Sequence, residues 1–159
     1  MSTMGLAPTP GQTVGPFFSF ALVRDGYADL VPPGHPDAIT LHGRVFDGAG
    51  EPVPDALVEL TRGGDDGWGR AATDEEGRYA FTTRVPVGAF FAITVFARGL
   101  LDRLFTRAYL PEAADDPFLQ HVAEDRRATL VATADERGYA FDIRLQGDDE
   151  TVFLAFPRD

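Results

Sequence analysis

Phe90-Phe91-Ala92-Ile93-Thr94-Val95-Phe96-Ala97-Arg98-Gly99-Leu100-Leu101-Asp102-Arg103-Leu104-Phe105-Thr106-Arg107-Ala108-Tyr109-Leu110-Pro111 is the stretch on which the architecture turns. It reads as two strands joined by a short connection. Phe91, Ile93, Val95 and Ala97 alternate with Phe90, Ala92, Thr94 and Phe96, so the two sets point to opposite faces. Both sets are largely apolar, which predicts a strand buried on both sides. Arg98-Gly99 ends the run, and Gly99 permits a turn that other residues resist. Leu104 to Leu110 continues extended. Arg98 stands where the apolar strand leaves the core. It either pairs with a carboxylate of its own chain or faces a cleft.

Toward the N-terminus the chain is punctuated by turns. Thr40 to Phe46 reads as a strand, and Asp47-Gly48-Ala49-Gly50 as a turn, since Asp-Gly tolerates positive φ. After the bend Glu51-Pro52-Val53-Pro54-Asp55, a second strand runs from Ala56 to Thr61. Gly63-Gly64-Asp65-Asp66-Gly67 is a loop, Trp68 to Thr73 a short strand, and Asp74-Glu75-Glu76-Gly77 a turn. Arg78 to Thr83 is another strand, with Tyr79 and Phe81 on one face. Short strands at this spacing predict a mainly β fold, an antiparallel β-sandwich.

Residues 1–38 read as an extended N-terminal arm, and residues 39–159 as the sandwich domain. Pro8, Pro10, Pro16, Pro32, Pro33 and Pro36 punctuate the arm and argue against a helix. Yet it carries Phe17, Phe18, Phe20, Leu22 and Tyr27, so it is expected to pack on its own domain or on a partner. One short helix is expected after Asp116, an N-cap followed by Pro117 at the first helical position, ending near Asp125. Thr129 to Thr133 and Gly138 to Leu145 read as a hairpin, and Thr151 to Phe156 as a last strand.

The chain has 159 residues, 44% of them hydrophobic, an ordinary composition for one domain with a sizeable core. Its net charge is −11, the wrong sign for a nucleic-acid surface. An anionic small molecule can bind only where local arginines override that field. There are no cysteines, which excludes disulfides, thiolate metal sites and cysteine nucleophiles, and fits a reducing cytoplasm. No signal peptide is visible at Met1-Ser2-Thr3-Met4-Gly5, and no run approaches a membrane span, so a cytoplasmic location is expected.

Chemistry-bearing motifs are scarce. His35, His42 and His121 are scattered and read as surface or helix-face residues without metal-ligand spacing. Ser2 and Ser19 are the only serines, and no nucleophile elbow surrounds them. The acidic turns at Asp65-Asp66 and Asp74-Glu75-Glu76 lack calcium-loop spacing and read as solvated loops.

Three segments together resemble the α chains of the intradiol ring-cleavage dioxygenase family. They are Thr9-Pro10-Gly11-Gln12-Thr13-Val14-Gly15-Pro16-Phe17-Phe18, then Val95 to Leu101 with Leu104 to Leu110, then Gly138 to Gly147 with Glu150 to Phe153. The resemblance implies an aromatic-acid catabolic oxidoreductase built from α and β subunits. In it a catalytic β subunit holds Fe(III) through Tyr and His residues. The reaction opens protocatechuate between its hydroxyl-bearing carbons with dioxygen, giving a carboxy-muconate. The α chain is implied to be a non-catalytic partner that has lost the metal ligands and walls the substrate pocket at the subunit junction. Where catalytic chains carry His-x-His, the corresponding positions here are Phe90 and Ala92, which cannot ligate a hard ferric ion. The resemblance also implies that two internal loops, between Leu60 and Trp68 and between Val85 and Phe90, are shortened.

By the same resemblance, Thr13, Gly15, Pro16 and Arg98 line the substrate pocket, with no catalytic residue and no metal ligand in this chain. Arg98 would supply a fixed positive charge for a carboxylate. Read from the residues alone, the alternative is a packing arm for Thr13 to Pro16 and an intrachain ion pair for Arg98. Two other readings stand beside this one. The block from Thr40 to Phe81 suits a free-standing transthyretin-like β-sandwich binding module without enzymatic activity. An autonomous metal-dependent dioxygenase is the third.

Overall fold

The computed structural model describes residues 9–63, 67–113 and 115–156. The beginning of the arm, through Pro8, and Gly64-Asp65-Asp66 of the glycine-rich loop lie outside the described residues, and so does the acidic pair read there.

Two sheets face each other. The first takes β1 (Ile39–Phe46), β4 (Arg78–Thr83), β7 (Thr133–Asp135) and β8 (Gly138–Ala140), in the order β4-β1-β8-β7, with β9 (Ile143–Arg144) also on β1. The second takes β2 (Leu57–Thr61), β3 (Trp68–Ala72), β5 (Phe90–Phe96) and β6 (Leu104–Tyr109), in the order β3-β2-β5-β6. The mainly β sandwich expected from the turn spacing is therefore the architecture found. Most pairings are antiparallel, but β8 and β9 run parallel to β1.

The core lies between the sheets. Leu41, Val45, Tyr79, Phe81, Phe141 and Ile143 enter from the first, and Val58, Leu60, Phe91, Ile93, Val95 and Ala108 from the second, all buried. Period-two alternation puts each set on one face of its strand. Each large aliphatic or aromatic side chain withdrawn this way stabilises by about 1.5–3 kcal/mol.

β5 departs from its expected burial. Phe91, Ile93 and Val95 are fully inside, whereas Ala92 is exposed and Phe90, Thr94 and Phe96 are half-buried. The outer face is apolar because other segments cover it in part. A second cluster of Tyr109, Leu119 and Leu130 packs with Phe90 and Phe118 at one end. Phe18 of the arm meets Phe96 at the other, with ring centroids 5.7 Å apart.

Helix is confined to short pieces. Residues Phe18–Leu22 form a one-turn helix, α1, inside the arm expected to exclude helix. No proline falls between Phe17 and Val31, so one turn fits without losing a donor. The helix expected from Asp116 to Asp125 is instead split. Asp116 does cap, accepting from the Phe118 backbone N–H at 2.9 Å, but only a 3-10 turn, Leu119–His121, follows. Val122 and Ala123 turn extended before α2, Glu124–Arg127.

Two further expectations shift. The first hairpin strand is Thr133–Asp135, because residues Ala128–Leu130 close a 3-10 turn instead. Thr151 to Phe156 is not a strand. Its backbone donors go to unrelated partners: Thr151 to the Arg144 carbonyl, Val152 to Thr129 Oγ1 and Leu154 to the Phe105 carbonyl. No single neighbour lies alongside to form a ladder.

The arm closes an open side of the sandwich. The edge strands there are β4 of one sheet and β3 of the other. Leu30 donates to the Thr82 carbonyl at 2.8 Å, Thr82 donates to the Ala28 carbonyl at 2.9 Å, and Arg70 donates to the Tyr27 carbonyl at 2.9 Å. Edge backbone groups that would otherwise invite a foreign strand are thus occupied.

Candidate functional site

The site begins where β5 ends. Ala97 is buried, and the chain then turns at Arg98-Gly99, with Gly99 at φ +92°, a conformation glycine adopts freely. The Gly99 N–H points out of this turn and donates to Thr13 Oγ1 at 2.8 Å. The arm is thereby fastened beside Arg98. A cleft of about 270 Å³ lies under the contact, walled by Thr13, Val14, Phe18, Phe96, Leu100 and Arg103 among others.

The four expected pocket residues separate into two groups. Thr13 lines the cleft and touches the residue next to Arg98. Gly15 and Pro16 do not line it; the Gly15 carbonyl accepts from the Phe18 N–H at 3.1 Å and so starts α1. Arg98 stands outside the cleft wall, half-exposed, with Nη2 3.5 Å from Asp55 Oδ2. Asp55 itself has φ 61°, an unusual conformation for a residue with a side chain. The intrachain ion pair left open by the sequence is therefore present, but it is long and solvated. Such pairs contribute about 0–1 kcal/mol, so the guanidinium is easily redirected to another anion.

Around the turn the surface is apolar. Phe17 is 78% exposed, Phe20 85% and Leu101 69%, while Ser19 between the two phenylalanines faces inward. Large exposed apolar groups gathered beside a cleft mark an interaction surface.

The positions compared with metal-ligating histidines lie on the outer face of the second sheet. Phe90 pairs with Tyr109 and Ala92 with Arg107 across β5 and β6. The Arg107 guanidinium lies 4.0 Å over the Phe90 ring and 4.2 Å over that of Phe118. It donates to Tyr109 Oη at 3.0 Å, and that hydroxyl donates in turn to Asp116 Oδ1 at 3.3 Å. Burial pushes the Tyr109 phenol up, against a downward pull from Arg107, so it is held as a neutral hydroxyl rather than a phenolate. A ferric ion does not fit here. Two positions offer only hydrocarbon, the one phenol is protonated and engaged, and a fixed cation is stacked between the rings.

Sequence reasoning missed this box. The available signal was the period-two spacing of Arg107 and Tyr109, which puts both on one face of β6. It also misplaced His42, which is buried, with Nε2 3.1 Å from Asp135 Oδ2. His35 accepts from the Asp37 backbone N–H, and His121 Nδ1 lies 2.9 Å from the Pro117 carbonyl oxygen. Among the described residues no group of three or more His, Asp and Glu side chains could hold a metal ion.

The sequence pattern of carboxypeptidase regulatory-like domains matches residues 40–113, the turn-rich block of both sheets. The protocatechuate 3,4-dioxygenase alpha chain of Burkholderia cepacia is 35% identical, over 94% of this chain and 98% of its own. The protocatechuate 3,4-dioxygenase beta chain of the same organism is 31% identical, over 91% of this chain and 79% of its own. Among solved structures, the dioxygenase domain of a carbohydrate-binding fusion protein from Streptomyces sp. SirexAA-E superposes with a TM-score of 0.54. That match has 21% identity and covers 89% of this chain and 99% of the other, a likeness of fold.

Proposed function

We propose a function from the premise that this chain belongs to the intradiol ring-cleavage dioxygenases, among the protocatechuate 3,4-dioxygenase alpha chains. It is the non-catalytic α subunit of a hetero-oligomer, and its partner is a catalytic β subunit. The β subunit holds Fe(III), which supplies the activation of substrate and dioxygen. The reaction breaks the bond between the two hydroxyl-bearing carbons of protocatechuate. Both atoms of O2 enter the product, and each of those carbons becomes a carboxylate of 3-carboxy-cis,cis-muconate. The enzyme works in the cytoplasm.

The observation that carries the reading is the hydrogen bond from the Gly99 N–H to Thr13 Oγ1. It sets the arm beside Arg98, so that Thr13 and the guanidinium can present to one ligand at the subunit junction. Gly15 and Pro16 line the substrate pocket from the arm's side, where none of the described residues beyond its chain neighbours lies within 4 Å of a Cβ placed on Gly15. Arg98 is the counter-charge for the substrate carboxylate, exchanging its solvated contact with Asp55 for a bidentate one. Phe17, Phe20 and Leu101 are covered by the β subunit.

Coexpression with a β chain tests this. The two chains are expected to copurify as a coloured ferric enzyme that consumes protocatechuate, while the lone chain is colourless and inactive. Separate elution of the chains, or stoichiometric iron in the lone chain, would overturn the reading.

A further inference from the structure

The first sheet is interrupted along one side of β1, and the interruption opens a cleft that the arm site does not use. β1 pairs with β8 at Leu41 and His42, and with β9 at Val45 and Phe46. Gly43 and Arg44 lie between the two ladders. Phe141 donates its N–H to the His42 carbonyl at 2.7 Å, but the Arg44 N–H turns to Asp142 Oδ1 at 2.9 Å. A Cβ on Gly43 would stand 1.9 Å from the Phe141 carbonyl oxygen, so the crossing depends on glycine. The break leaves a cleft of about 280 Å³ walled by His42, Arg44, Arg78, Tyr79, Arg137 and Asp142. A neighbouring hollow shares Arg78, Tyr79 and Arg137 and reaches Arg24 and Arg70.

The chain has no lysine; all fourteen of its Lys and Arg positions are arginine, so this wall is made of planar forks suited to oxyanions. Not all are free. Arg70 is held by Glu59 and the Leu22 carbonyl, and Arg78 reaches Glu76 at 3.3 Å and Asp74 at 3.8 Å. His42 is taken by Asp135. The guanidinium groups of Arg44 and Arg137 have no hydrogen-bond or ion-pair partner among the described residues. Asp142 is the carboxylate in the wall, and one of its oxygens already accepts from Arg44 N–H. Unpaired like charges are thus held together on a chain whose net charge is −11. Asp142 offsets one of these charges and leaves the cleft net positive, and an oxyanion can present an edge of oxygens to each free fork.

We propose that this cleft binds a small oxyanion with several oxygens, gripped between Arg44 and Arg137 with Arg78 behind. The ligand chemistry is that of a polycarboxylate or a phosphate. The site is distinct from the arm cleft and does not depend on the proposed pairing with a β subunit.

Calorimetric titration of the full chain with inorganic phosphate, with citrate and with chloride at matched ionic strength tests it. Saturable one-site binding of phosphate or citrate is expected, without a saturable chloride signal. Tighter citrate assigns the site to polycarboxylates, and tighter phosphate assigns it to phosphates. The Arg44→Ala/Arg137→Ala variant should weaken that binding by at least about tenfold, with an unchanged melting temperature. Should that variant melt well below the parent, Arg137→Gln alone is read in the same way, since the side chain lies at the surface. No saturable binding of either multivalent anion, or undiminished affinity in the variants, overturns the proposal.

Discussion

Thr13 Oγ1 accepts a hydrogen bond from the Gly99 N–H at 2.8 Å, joining the arm to the turn after β5 across 86 positions of sequence. The bond is exposed, so its net worth lies at the low end of the usual range, about 0.5 kcal/mol. Thr13→Val keeps the shape and removes the acceptor. Hydrogen exchange at Gly99 should quicken in the variant, and the arm should become more open to protease, while the melting temperature changes little. Unaltered exchange at Gly99 would refute a fastening role for Thr13.

Arg98→Ala removes a charge whose intrachain partner is solvated. The melting temperature should therefore stay within a few degrees, as expected for a loss of about 0–1 kcal/mol in a chain of this length. In the complex with a β subunit, the Michaelis constant for protocatechuate should rise by at least about tenfold, since a charge-assisted hydrogen bond typically contributes about 1.5–3 kcal/mol. Kinetics equal to wild type, with the same small change in stability, would leave Arg98 with only its Asp55 contact.

The first six strands could be read from the sequence because their cause is local. Alternation decides which face is buried, and Asp47-Gly48 and Glu76-Gly77 decide where the chain turns. The parallel pairing of β8 and β9 with β1 could not be read, because its partners lie about a hundred positions apart and no turn encodes the register. The segment from Thr151 to Phe156 has the composition of a strand, but composition does not say whether a neighbour will lie alongside. The arm motif and the strand end drew attention to Thr13 and to the Arg98-Gly99 turn, but neither told that a hydrogen bond joins them. Arg107 was not legible, because its role depends on Phe118, which arrives from a separate segment.

Arg107 offers a stability test at the outer face of the second sheet. Arg107→Ala removes its stacking on Phe90 and Phe118 and the donor to Tyr109 Oη. The hydroxyl keeps Asp116 as its other partner, so the loss should be about 1–3 kcal/mol rather than a collapse. Chemical denaturation should report it as a lower midpoint with an unchanged slope. Arg107→Lys should recover only part, because an ammonium lacks the planar face that lies between the rings. Full stability in the alanine variant would show the stack to be incidental.

The buried phenols give a pH test with a definite sign. Burial pushes Tyr79 well up from the usual tyrosine range, helped by the nearby Asp142 carboxylate, and burial also raises Tyr109. Below about pH 10 both are protonated whether the chain is folded or not, and their contribution is full and flat. Above it the unfolded chain releases protons that the folded chain retains, so stability falls as pH rises through the folded values. Part of the tyrosinate absorbance should thus lag behind and appear only with loss of the β-sheet circular dichroism signal. Tyr79→Phe should diminish that late step, at a cost of about 1–3 kcal/mol from the Phe141 carbonyl left without its donor. If all tyrosinate absorbance develops reversibly while the sheet signal is intact, neither phenol is held as argued.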